Sequence, residues 1–215
     1  VTMSRLDETN NELTDLNNMV MQAFAKTIDA KDKYTKGHSV RVARYSRELV
    51  KRMGGTIKEQ DEIYQIALLH DMGKIRIPDN IINKPGRLTD EEFSMIKFHC
   101  VNGYHILKNI NAFPELAVGA KYHHERYDGT GYPSGLKGEN IPRCARIIAV
   151  ADSYDAMTSN RSYRYALPQK IVRDEMEKGK GSQFDPDIAE VMLRMIDEDE
   201  DYHMRQAEKM VSNIL

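Results

Sequence analysis

Ile63-Tyr64-Gln65-Ile66-Ala67-Leu68-Leu69-His70-Asp71 is the stretch that decides the fold. Its apolar residues recur at helical spacing, so residues 57–71 read as an amphipathic helix with a His-Asp pair on its inward end. An ionisable pair there needs a partner, because burying an unpaired charge costs on the order of several kcal/mol. Working outward, 31 residues separate His38 from His70, and 27 separate Asp71 from His99. A further 23 lead to His123-His124, and 27 more to Asp152. Each gap is about one helix plus a turn. Successive helices would therefore each deliver a ligand to one central point, which makes the expected fold all-α. Asp152 itself follows the largely apolar run Ala145-Arg146-Ile147-Ile148-Ala149-Val150-Ala151.

Five of the chain's seven histidines belong to this series. A single histidine is more often packed or surface-exposed than ligating; the ordered series shifts that balance. Imidazole and carboxylate without thiolate suit iron, manganese or similar metals. Two metals sharing one carboxylate form a clamp for in-line displacement at phosphorus. The residues therefore point to phosphate-ester hydrolysis.

The 215 residues suffice for one domain with a substantial core, and 40% hydrophobic with 30% charged content is ordinary for a soluble globular protein. A net charge of −2 argues against a broad nucleic-acid or anionic-membrane surface. No apolar window is long enough for a membrane span and no signal-peptide pattern opens the chain. Cys100 and Cys144 lack CxxC spacing and suggest a reducing compartment, hence a cytoplasmic location. The opening Val1-Thr2-Met3 suggests a piece of a longer protein.

Residues 4–31 carry Leu6, Leu13, Leu16, Val20, Phe24 and Ile28 near heptad spacing. They read either as a signalling or dimerising lead-in helix from an upstream domain, or as a helix packed on the body. Helices are expected at 38–53 and 57–71, with residues 72–88 a loop because of Gly73, Pro78, Pro85 and Gly86. Thr89-Asp90-Glu91-Glu92 is a capping box that starts a helix carrying His99. Pro114 opens a helix ending at His123-His124; residues 125–142 form a long glycine-rich loop; 143–158 is a helix bearing Asp152. Pro168 and Asp185-Pro186 mark two more helix starts. The acidic run 197–201 reads as a solvated turn or helix end. His105 and His203 match no pattern.

His70-Asp71-Met72-Gly73-Lys74 with Ile77-Pro78 resembles the signature of HD-type phosphohydrolases. His123-His124-Glu125-Arg126-Tyr127-Asp128-Gly129-Thr130-Gly131-Tyr132-Pro133 resembles the extended signature of the HD-GYP subfamily, and Tyr34–His38 and Ala151–Arg164 match as well. The resemblance covers roughly residues 25–195. It implies an HD-type helical bundle around a two-metal site, with residues 1–31 as lead-in helix and 32–215 as the catalytic domain. It implies a phosphodiesterase acting on cyclic di-GMP, giving linear pGpG and, after a second cut, GMP. It also implies fusion to an upstream sensory or receiver domain, and a homodimer through the N-terminal helix is one further reading.

The same resemblance implies that His38, His70, Asp71 and Asp152 bind the first divalent ion. Asp71, His99, His123 and His124 would bind the second, with Asp71 shared. Some members carry a glutamate four residues before the first histidine and a third metal; here that position is Tyr34, whose phenol, with a pKa of about 10, is a poor ligand. Lys74 is expected to bind a non-bridging phosphate oxygen or steady the leaving oxygen, unless it is only a solvated loop lysine. Arg161 and Arg164 are expected to bind phosphate or guanine, or else form a charged surface pair. Tyr132 either stacks on a base or is purely structural. The competing readings are hydrolysis of another cyclic dinucleotide or nucleotide, and a module that only senses cyclic di-GMP.

Overall fold

Thr56 and Thr89 each open a helix by the same reciprocal pair of bonds. Thr56 Oγ1 accepts from Glu59 N at 3.3 Å while the Glu59 carboxylate accepts from Thr56 N at 2.8 Å. Thr89 and Glu92 repeat this at 3.2 and 2.8 Å. The two boxes satisfy orphan N–H groups at the helix starts. They fix α3 at Ile57–Leu68 and α5 at Asp90–Leu107, numbering helices in chain order after α1 (Thr2–Lys31) and α2 (His38–Arg52), with the short α4 (Asp79–Ile82) between them. The remaining helices are α6 (Glu115–Tyr122), α7 (Arg143–Thr158), α8 (Gln169–Gly179) and α9 (Pro186–Glu198). Asp185 caps α9 by accepting from Asp187 N and Ile188 N, with proline at the first turn as expected. The computed structural model describes residues 2–32, 36–160 and 165–206, and among them the architecture is all-α with no strand element.

α7 is the axis of the bundle. Ala145, Ile147, Ile148, Val150, Ala151 and Tyr154 are all buried, so the helix is enclosed nearly all round. α2, α3, α6, α8 and α9 pack against it. α2 adds Val42, Ala43, Leu49 and Val50 to the same core, and α9 adds Ile188, Val191, Met192, Leu193 and Ile196. The C-terminal half of α1 joins them through the buried Ala25 and Ile28, whereas Leu13, Leu16, Val20 and Phe24 are exposed. No described helix is long and apolar enough to cross a membrane.

Two expectations are corrected. The helix expected to reach residue 71 stops at Leu68, and His70-Asp71 lie in the turn beyond it. There the Leu69 and His70 amides reach back only three residues, to Ile66 and Ala67 carbonyls, so the last turn tightens and leaves the helix axis. The expected loop 72–88 contains a 3-10 turn at Met72–Arg76 and α4, which Pro78 opens. Both elements are too short to show a periodic pattern through the surrounding glycines and prolines.

The 3-10 turn lies hard against α5 at one point. A Cβ on Gly73 would stand 1.8 Å from the His99 carbonyl oxygen and 2.5 Å from Gly103 N. Only glycine allows that approach, and it is what carries Asp71 to His99. Gly73→Ala should therefore destabilise the protein by about 1–3 kcal/mol or more, the usual cost of overpacking. Urea unfolding checks this; an unchanged midpoint would contradict the contact.

Candidate metal centre

Three of the histidines are aimed by one device. His70 Nδ1 lies 2.6 Å from Ala67 O, His99 Nδ1 2.7 Å from Ile96 O, and His123 Nδ1 3.0 Å from Ala120 O. In each case the ring donates to the carbonyl three residues back. The tautomer assigned from these contacts puts the proton on Nδ1 and turns the Nε2 lone pair inward. His70 Nε2 is buried with no hydrogen-bond partner. The Nε2 atoms of His99 and His123 face each other at 3.1 Å. Two lone pairs at that distance repel unless a proton or cation lies between them. The donor set thus fits divalent metal.

Asp71 stands between two groups of rings. Its Oδ2 is 3.5 Å from His38 Nε2 and 3.4 Å from His70 Nε2. Its Oδ1 is 3.4 Å from His99 Nε2 and 3.9 Å from His123 Nε2. Asp152 Oδ1 closes the first group at 3.4 Å from His38 Nε2. His38, His70 and Asp152 offer ligand atoms within 4.8 Å of one another, as do His99, Cys100, His123 and His124. All seven residues expected as ligands are therefore brought together. Lys74 is there too, its Nζ 2.7 Å from Asp71 Oδ2 and 3.9 Å from Asp32 Oδ2.

Sequence reasoning missed the support of His38. His38 Nδ1 donates to Asp155 Oδ2 at 2.8 Å, and the Arg41 guanidinium grips the same carboxylate at 2.5 and 3.0 Å. Asp155 lies three residues after Asp152 on α7, so helical spacing was the signal available. Asp29, also buried, accepts from Ser39 Oγ at 2.6 Å and so ties α1 to the start of α2 beside His38. The third omission is Glu125. Its carboxylate accepts from Ser134 N at 2.7 Å and Leu136 N at 3.0 Å, folding the glycine-rich loop back on itself. The fold brings the Tyr132 ring to 4.9 Å from His124 at a 31° tilt. Lys97 Nζ lies 5.4 Å from the centre of the Tyr132 ring. Arg161, Arg164 and Tyr34 lie outside the described residues.

The electrostatics divide the rings. Burial works against charge on His38, but hydrogen bonds to Asp155 and Asp71 push it up to about 10. Burial and neighbouring imidazoles hold His123 well below the usual value and take His124 down to about 3. His99 is lowered as well, chiefly by burial. Burial raises Asp71, yet Lys74 and His70 outweigh it and hold the carboxyl well below its usual range. Asp155, likewise buried, is carried down to about 2 by His38 and Arg41. On the His99, His123 and His124 side, neutral imidazoles beside ionised Asp71 are the protonation states that metal binding requires, whereas His38, held charged by its carboxylates, has to give up a proton to bind an ion.

A family model described as "HD domain" matches residues 22–188. A cyclic di-GMP phosphodiesterase of Thermotoga maritima is 39% identical over 197 residues, covering 90% of this chain and 53% of that protein. A 3′3′-cGAMP-specific phosphodiesterase of Vibrio cholerae is 39% identical over 170 residues, covering 78% and 36%. The crystal structure of a cyclic GMP-AMP specific phosphodiesterase of V. cholerae matches with a TM-score of 0.64 at 18% identity, over 85% of this chain and 49% of that one, a likeness of fold. The chain spans about half the length of the first of these relatives and about a third of the second.

The shifts give the metal-stripped protein a defined pH profile. His124 has a folded pKa of about 3 against 6.5 unfolded, so the unfolded state binds more protons between these values and stability falls as pH drops through that window. His38, at about 10 against 6.5, does the reverse: its contribution is full below 6.5 and is lost as pH rises toward 10. Stability should therefore peak near pH 6.5. His124→Ala should make the acid limb shallower, since His99 and His123 share it, and His38→Ala should flatten the alkaline one, read from urea midpoints in chelator. Limbs as steep in these variants as in the parent would disprove the assignment.

Proposed function

The chain belongs to the HD domain family, and on that footing we propose that it is a metal-dependent phosphodiesterase domain that hydrolyses cyclic di-GMP to linear pGpG. The observation that carries this reading is the two-sided setting of Asp71, with one oxygen toward His38 and His70 and the other toward His99 and His123. We assign His38, His70, Asp71 and Asp152 to one divalent ion, and Asp71, His99, His123 and His124 to a second, with Asp71 shared. Imidazole and carboxylate ligands suit iron or manganese. When bound, the ions supply Lewis acidity and an activated water at neutral pH.

The chain's own residues then have distinct tasks. Lys74, held at the edge of the cluster by Asp71, takes a non-bridging phosphate oxygen and stabilises the charge that develops there. Water adds to phosphorus, the P–O3′ bond breaks, and the ribose 3′-oxygen takes the proton. Tyr132, lying against the His124 ring, offers its face to a base. Arg161 and Arg164 take the second phosphate or a guanine edge, where a planar guanidinium makes two parallel bonds. α1 leads in from an upstream signalling domain.

A second reading, hydrolysis of 3′3′-cGAMP, is favoured by the similarity to a phosphodiesterase specific for that dinucleotide. Incubation with cyclic di-GMP, 3′3′-cGAMP and cyclic di-AMP, with chromatography of the products, separates the two. Linear pGpG from cyclic di-GMP at the highest kcat/KM supports the first reading. No turnover of any of the three by metal-loaded protein overturns both.

Asp71→Ala should lose both metals by elemental analysis, since its two oxygens face the two groups. Lys74→Ala should keep the metals and lose about 100-fold or more in turnover, the usual cost of one preorganised contact to developing charge. Metal loss in Lys74→Ala would assign that lysine to the fold instead.

Arg161→Ala and Arg164→Ala should weaken cyclic di-GMP hydrolysis by more than about tenfold, from the loss of about 1.5–3 kcal/mol of charge-assisted binding. Cleavage of bis(p-nitrophenyl) phosphate, which lacks the remote groups, should be nearly unchanged. A parallel fall in both substrates would instead tie the arginines to the integrity of the site.

A further inference from the structure

Cys100 follows His99 on α5 and is fully buried. Its Sγ lies 3.5 Å from His99 Nε2, and within 4.8 Å of the ligand nitrogens of His99, His123 and His124. With metal–nitrogen bonds of about 2.0–2.1 Å and a metal–sulfur bond of about 2.3 Å, a tetrahedral site sets neighbouring nitrogens about 3.3–3.4 Å apart and nitrogen and sulfur about 3.5–3.6 Å apart. The two separations observed are 3.1 Å between the His99 and His123 nitrogens and 3.5 Å between His99 Nε2 and Cys100 Sγ. The sulfur–nitrogen separation matches such an edge, and the nitrogen–nitrogen separation is shorter than one, as befits an ion that Asp71 also binds and that therefore holds more than four donors. A thiol donating to His99 Nε2 would give a similar S···N distance. It would leave the facing His99 and His123 lone pairs, both within reach of the sulfur, without a proton or cation between them.

We propose that Cys100 is a thiolate ligand to the ion held by His99, His123 and His124. This rests on the reading of those histidines as metal ligands. On coordination the metal takes the place of the S–H proton, which leaves to solvent. A soft donor at this ion alone makes the two sites chemically unequal. The side facing His38 and Asp152 keeps nitrogen and oxygen donors, while the side carrying Cys100 favours iron(II) or zinc over manganese. On this proposal the second ion departs from the thiolate-free site expected from the sequence.

The test is cobalt(II) loading of the metal-stripped protein, followed by absorption. The expected result is an intense near-ultraviolet thiolate-to-cobalt band in the wild type and in Cys144→Ser. The band should be missing from Cys100→Ser and Cys100→Ala, which keep the visible cobalt bands. Zinc affinity at this site should fall at least tenfold in Cys100→Ser. Cys100→Ser is nearly isosteric, and circular dichroism checks its fold should Cys100→Ala prove unstable. Visible cobalt bands in the wild type without the near-ultraviolet band would overturn the proposal, as would persistence of that band in Cys100→Ser; the phosphodiesterase reading would survive either result. Failure of the wild type to bind cobalt at all would overturn the metal reading beneath it, independently of the product assay.

Discussion

One buried carboxylate, that of Asp71, organises the structure. It is only 4% exposed, and its two oxygens face two different sets of imidazoles. Burial alone would neutralise such a group; Lys74 and the surrounding rings keep it ionised. Its position follows from a small departure from ideal geometry. α3 stops at Leu68, and the chain tightens into a 3-10 turn whose Gly73 lies against the His99 carbonyl. Had the helix continued through residue 71 in regular form, His70 and Asp71 would project about 100° apart from one α-helical axis, and the turn could not have met α5 as it does. The short 3-10 segment is therefore what joins the α3 side of the site to the α5 side.

The two halves are held in different ways. On the α2 and α7 side the support is ionic: Arg41 fixes Asp155, Asp155 fixes His38, and His38 meets Asp71 and Asp152. On the α5 and α6 side it is made of backbone carbonyls, which orient His99 and His123 without adding charge. This difference accounts for the divided titration. His38, next to three carboxylates, is drawn toward its charged form, while burial and the neighbouring imidazoles keep His123 and His124 neutral.

Much of this was legible in the sequence, because the signals were local. The Thr89–Glu92 box, the Asp185-Pro186 cap and the apolar run before Asp152 each imply their helix through short-range bonds or periodicity. The ligand series was legible because gaps of helix-plus-turn length imply convergence. What was not legible depends on contacts between distant segments. Arg41 and Asp155 are 114 residues apart, and their pairing is decided by how α2 packs on α7. Glu125 acts through backbone amides of Ser134 and Leu136, which any residue type would present. Cys100 is silent in sequence because a buried thiol next to a ligand reads as ordinary core. Arg161 and Arg164, carried by resemblance alone, lie outside the described residues.

The placement of the core explains how the fold tolerates such a site. The apolar packing of α2, α7, α8 and α9 extends well away from the cluster, through residues such as Leu49, Ile148, Met176 and Met192. A buried polar atom without a partner costs about 1–3 kcal/mol, against a total stability of about 5–15 kcal/mol for a domain. His70 Nε2 alone, and the lone-pair contact between His99 and His123, are thus a sizeable charge on the folded state. A ligand that binds the folded form and not the unfolded one returns that free energy by mass action. The orphaned nitrogens are the reason the folded chain should bind metal tightly: the cost of gathering them is met in folding, and only the favourable step is left for the ion.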